Sequence, residues 1–153
     1  MRGLQTACIV ALALVAGCGD GGDSEEGVTK SVREWTAALS EGRGDAACEL
    51  MLPSAQAEFA TFAGAFIKAG PPADCERNVR RFYAKLTGIP RRQIHDADVD
   101  DVSIDGDRAS VKMADGGPNE LLLVKDGDEW RIEHAFRRGW RFVGAPRFGL
   151  TPR

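Results

Sequence analysis

The sequence predicts an α+β fold with helices first and an antiparallel meander second. Three observations lead there. Apolar residues recur at helical spacing from Val28 to Leu86, the period changes to two after Pro90, and Asp-Gly turns punctuate the second half. At 153 residues the chain suits one domain. Composition is ordinary for a globular protein, with 43% hydrophobic residues, 28% charged residues and a net charge of −3. That balance argues against a nucleic-acid partner, which usually meets a basic protein.

In the first helix Val28, Val32, Trp35, Ala38 and Leu39 form one apolar face, and Gly42 and Gly44 stop it. Asp45 is the expected cap of a short turn through Cys48, Leu50 and Met51, which Pro53 ends. Ser54 is the expected cap of the next helix, with Phe59, Phe62, Ala63, Phe66 and Ile67 as its stripe and Gly70-Pro71-Pro72 as its breaker. Asp74 caps a further helix carrying Cys75, Val79, Phe82 and Leu86, ended by Gly88 and Pro90. Val99, Val102 and Ile104 then lead through Asp105-Gly106-Asp107 to Ala109, Val111 and Met113. A second turn spans Asp115–Asn119, Leu121–Lys125 is a third strand, and Asp126-Gly127-Asp128 leads to a fourth holding Trp130, Ile132, His134 and Phe136. One buried sheet face needs a cover, and the helices supply the apolar layer. No Gly-rich phosphate loop or βαβ unit occurs, which argues against nucleotide folds.

The N-terminus carries a different signal. Arg2 is the only charge in Met1–Gly17, and Ala7–Ala16 is continuously apolar, too short to cross a bilayer stably, so residues 1–17 read as a cleaved signal peptide. Val15-Ala16-Gly17-Cys18, following Leu14, resembles the lipobox of bacterial lipoproteins. The resemblance implies cleavage before Cys18, acylation of that residue and a stable membrane anchor on the outer face of the cytoplasmic membrane, or on an outer membrane in a Gram-negative cell. Residues 18–27, rich in Gly and acids, are the expected tether. With Cys8 removed and Cys18 lipidated, two of four cysteines remain, and an exported domain most simply joins Cys48 to Cys75.

From Val28 to Phe136 the order of pieces resembles the cone-shaped superfamily named after nuclear transport factor two, which includes ketosteroid isomerases and polyketide cyclases. The segments VTKSVREWTAALSEGRGDAAC, CERNVRRFYAKL, VSIDGDRASVKM and ELLLVKDGDEWRI carry it, with Trp130 as an inward residue of the closing hairpin. The resemblance implies a curved sheet of four to five strands around a conical pocket, with Trp35, Phe82 and Trp130 as pocket or core residues. In the enzymes of that superfamily the pocket holds a carboxylate or a His–carboxylate base. Here the first helix offers Val32, Trp35 and Leu39 where an isomerase would place a polar donor.

His95 with Asp96 and Asp98 is the best acid–base group, since a carboxylate can tune an imidazole for proton abstraction. Against it stands an exposed connection before the first strand. Tyr83 and His134 are further pocket candidates. Asp96, Asp98, Asp100, Asp101, Asp105 and Asp107 crowd one stretch, but an EF-hand loop starting at Asp96 would place Asp101 where Gly is needed and Asp107 where Glu is needed. An outward acidic face is the preferred reading, with no metal and no cofactor expected. Residues 137–153 hold five arginines, no acids, and Trp140, Phe142 and Phe148, which suits a last strand, a frayed end or a surface for anionic partners. The resulting expectation is a lipid-anchored, non-catalytic envelope domain with a small hydrophobic ligand or an envelope protein as partner. The alternatives are an isomerase-like enzyme using His95 and a docking module using the Arg-rich tail.

Overall fold

The computed structural model describes residues 24–67, 74–114, 117–137 and 140. Five helices precede four strands: α1 (Glu25–Glu41), α2 (Gly44–Glu49), α3 (Pro53–Ile67), α4 (Cys75–Lys85), α5 (Ile89–His95), β1 (Val99–Asp105), β2 (Arg108–Met113), β3 (Glu120–Asp126) and β4 (Glu129–His134). The strands form one antiparallel sheet in the order β1-β2-β3-β4. The helices-then-meander order is the α+β arrangement expected from sequence.

α1 begins inside the stretch expected as tether. Ser24 accepts from the Gly27 amide, and Glu25 and Glu26 occupy the first turn, where carboxylates are favoured by the helix dipole. Gly42 ends the helix at φ 72°, and its close approach to the Tyr83 ring leaves no room for a Cβ. The N-cap of α2 is Arg43, with Asp45 in the first turn rather than at the cap. Pro53 starts α3 instead of closing the preceding turn, because a first-turn residue needs no amide donor. Ser54 is therefore helical, and its hydroxyl donates to the Glu133 carbonyl at 2.9 Å. Asp74 caps α4 as expected, accepting from the Arg77 amide at 2.9 Å.

α5 replaces the expected connection. Pro90 sits in its first turn, and the helix buries Ile94 beneath α1. Arg91 holds it to the end of α4, donating to the carbonyls of Tyr83 and Leu86 at 3.2 and 2.7 Å. The two Asp-Gly turns are formed as read, with Gly106 at φ 59° and Gly127 at φ 67°. The free edge of β4 is covered by the α2–α3 connection, where Leu52 donates to Ile132 at 2.9 Å and Ile132 to Leu50 at 2.8 Å. That cover removes one edge at which another strand could add.

Cys48 and Cys75 are disulfide-bonded across 27 positions, joining α2 to the first residue of α4. Gly44 lies against the Glu76 backbone at the same junction, so close that a Cβ would come within 2.7 Å of the Glu76 oxygen. The helical layer is thus stitched covalently where its backbones pack most tightly. Replacing both cysteines by Ser is expected to lower stability by roughly 3–4 kcal/mol in the chain-entropy view. Urea unfolding of the two chains measures this, and coincident midpoints would contradict it.

Candidate functional site

Six aromatic side chains from α1, α3, α4 and the segment after β4 pack together in the core. Phe62, Phe136 and Trp140 stack, with centroids 5.0 and 5.6 Å apart. Trp35 meets Phe136 and Trp140 edge-on at 6.1 and 6.2 Å. Phe59 and Phe82 close the group, 5.6 Å from each other, with Phe59 5.4 Å from Phe136. All six are at most 4% exposed. Trp35, Phe82 and Trp130 are accordingly core residues, joined by Leu39, Val111, Leu121, Leu123 and Ile132. Offset and edge-on geometries add to the burial of such large rings.

One carboxylate directs two of those rings inward. Glu58 on α3 lies 2.7 Å from His134 Nδ1, and it accepts from the amides of Ala135 and Phe136 at 3.3 and 3.4 Å and from Arg137 Nε at 3.0 Å. A carboxylate only accepts, so the His134 Nδ1 carries the proton. With the next two amides given to Glu58, β4 ends at His134 rather than running to Phe136. Trp140 pairs with Pro118 in an isolated antiparallel bridge. Trp140 belongs to the tail that the sequence reads as a last strand, a frayed end or a surface for anionic partners, and residues 141–153 lie outside the described residues. Nothing near Glu58 in the sequence announces this cluster, because its partners are more than seventy positions away.

The other expected site residues are dispersed. His95 is exposed at the end of α5, its Nδ1 2.9 Å from the Asp96 carboxylate. Asp98 bonds Arg33 on α1 at 3.1 Å instead of joining His95. The Arg33 guanidinium, and next the Val99 amide, hold the Asp98 carboxyl below its ordinary range. The Tyr83 ring is packed on Gly42, and the Arg91 guanidinium lies 4.1 Å from its centroid. His134 is 14% exposed and held by Glu58. Cys18 lies outside the described residues, as does the tail apart from Arg137 and Trp140. Among the described residues no group of three or more His, Cys, Asp or Glu is arranged to hold a metal ion.

Among the described residues, grooves open on the surface. A groove of about 370 Å³ runs between α1 and the β3–β4 turn, lined by Glu26, Lys30, Glu34, Leu50, Asp128 and Trp130 among others. A second, of about 620 Å³, continues from Glu34, Leu50 and Glu129 to Arg33, Arg43 and Glu49. Their cations are engaged, Lys30 with Glu34, Arg33 with Asp98 and Arg43 with Glu41. Neither groove touches His95, Tyr83, His134 or Glu58, so no acid–base pair faces a bound molecule there. Compared with known proteins, the chain matches no family model, no curated protein and no solved structure.

Two outcomes are expected. Glu58→Gln removes the charge shared by four donors and should cost about 1–3 kcal/mol, with faster hydrogen exchange at the Ala135 and Phe136 amides. Unchanged stability and exchange would contradict the role of Glu58. Arg33→Ala should raise the Asp98 pKa, read from its carboxyl NMR titration. Because the folded-state value is depressed, the stability from this pair is present at neutral pH and is lost as acid protonates Asp98 below the ordinary carboxylate range. A titration unmoved by Arg33→Ala would refute the assignment.

Proposed function

We propose that this chain is an exported bacterial lipoprotein, acylated on Cys18, whose domain works in the cell envelope through its outer surface rather than by catalysis. The observation that carries this reading is the interior itself. Six aromatic rings from α1, α3, α4 and the segment after β4 pack against one another in the core, which supports a solid interior there. Binding by such a domain therefore falls to its grooves and charged faces.

Two further features support the export part. The apolar run ends in Val15-Ala16-Gly17-Cys18, and the folded part carries a Cys48–Cys75 disulfide of the kind that persists in oxidising compartments. The likeness to the nuclear-transport-factor-two superfamily is retained as part of the proposal, supported by the order of helices and meander. An isomerase-type activity would need a His–carboxylate pair at a cavity. His95 and Asp98 keep separate surface partners, which weighs against it. Docking through the Arg-rich tail rests on composition alone.

Metabolic labelling with a palmitate analogue is expected to mark the parent chain and to leave Cys18→Ala unmarked, with the variant released from the membrane fraction. Continued labelling of Cys18→Ala would remove Cys18 as the anchor.

A further inference from the structure

Charge on this domain is segregated. Positions 74–95 hold six Lys or Arg against two acids, whereas positions 99–134 hold ten acids against four Lys or Arg. The basic residues belong to α4 and the start of α5, and α4 packs on α2 and α3 rather than on the sheet. On α4 the buried side is Asn78, Val79 and Phe82. Arg77, Arg81 and Lys85 therefore recur every fourth residue on the exposed side, with Arg80 beside them. Side chains at that spacing are neighbours roughly 5–6 Å apart.

Arg77 and Arg80 are tied to Asp74 and Glu76 at 3.4 and 3.3 Å. Arg81, Lys85 and Arg92 are exposed and have no ion-pair partner among the described residues. On α4 the remaining exposed positions are Glu76 and Ala84, so no large apolar side chain is exposed on that helix. Protein partners gain most affinity from aromatic and other anchors sunk into pockets. Exposed, unpaired cations without such anchors suit charge spread along a chain.

We propose that the exposed cations of α4, with Arg92 of α5, bind a linear, phosphate-bearing polymer outside the membrane. Lys and Arg are the natural phosphate ligands, and such cations can neutralise successive phosphates while releasing their counterions. The placement of α4 fits a tethered domain, a point that rests on the lipid-anchor reading. Ser24 caps one end of α1, and Gly42 at the other end packs on Tyr83 of α4. With 17 residues, α1 separates those ends by about 25 Å. An anchor upstream of Ser24 leaves the Gly42 end of α1, with Tyr83 of α4 packed on it, at that distance from the start of the helix.

The test uses the full chain carrying Cys18→Ala in non-ionic detergent, with long-chain polyphosphate as the probe in isothermal titration. Without an acyl chain, its failure is separate from a failure of the anchor. Binding is expected to weaken steeply with added salt, and to fall about tenfold or more in Arg81→Glu/Lys85→Glu/Arg92→Glu, with a smaller loss in the corresponding Gln triple. Thermal midpoints of both triples should match the parent, since all three side chains are exposed. Orthophosphate at equal phosphate concentration should compete poorly. Unchanged affinity in the Glu triple would overturn the proposal, as would full competition by orthophosphate. An equal loss from Arg108→Glu/Lys112→Glu on the sheet would also overturn it, and so would a loss confined to replacement of Arg141, Arg147 and Arg153.

Discussion

Glu58 accepts hydrogen bonds from two successive amides after β4, and His134 and Arg137 lie against the same carboxylate. That convergence determines where the chain goes once the sheet ends. Without it the strand could continue along β3, and Phe136 would stand on a sheet face instead of beneath the helices. The energies divide by kind. Burial of rings the size of Phe136 and Trp140 removes roughly 150–250 Å² of surface each, far more than a carboxylate contributes. The rings supply the driving force, and Glu58 supplies the direction.

The consequence reaches function. An α+β layer of helices over a meander can enclose a pocket or a solid core, and fold alone does not decide between them. Here Trp35 and Phe62 wait on the helices, and Phe136 and Trp140 arrive from the segment after β4 to complete the packing. The indole nitrogen of Trp35 is buried without a hydrogen-bond acceptor among the described residues, a cost the surrounding rings must offset. What remains accessible is the exterior, where acids crowd the strands and cations line α4.

Much of this was legible in residue order. The change of period after Pro90, the Asp-Gly turns and the buried alternation of Ala109, Val111 and Met113 all survive in the structure. Cys48 and Cys75 pair as simple counting suggested. Two prolines differ from the sequence expectation for one reason: Pro53 and Pro90 lie at helix starts, where proline is tolerated, yet a sequence shows them first as breakers. α5 went unseen because IPRRQIH offers only Ile94 as a described buried apolar residue, too little for a periodic face. The candidate site was least legible. His95 and Asp98 lie close in sequence, yet Arg33 claims Asp98 through a contact 65 positions away. Glu58 and His134 carried no local signal at all, since tertiary packing alone brings α3 and the end of β4 together.

A packed interior can be tested with a small apolar probe. Benzene titrated into the parent chain and into Phe136→Ala, followed by NMR of the Leu and Ile methyl groups in the core, reads interior binding directly. A filled core predicts no saturable shift in the parent and a new saturable site in Phe136→Ala, where the removed ring leaves an apolar void. Saturable binding in the parent at core methyls such as those of Leu39, Leu121 and Ile132 would contradict it, and would return the function of this domain to its interior.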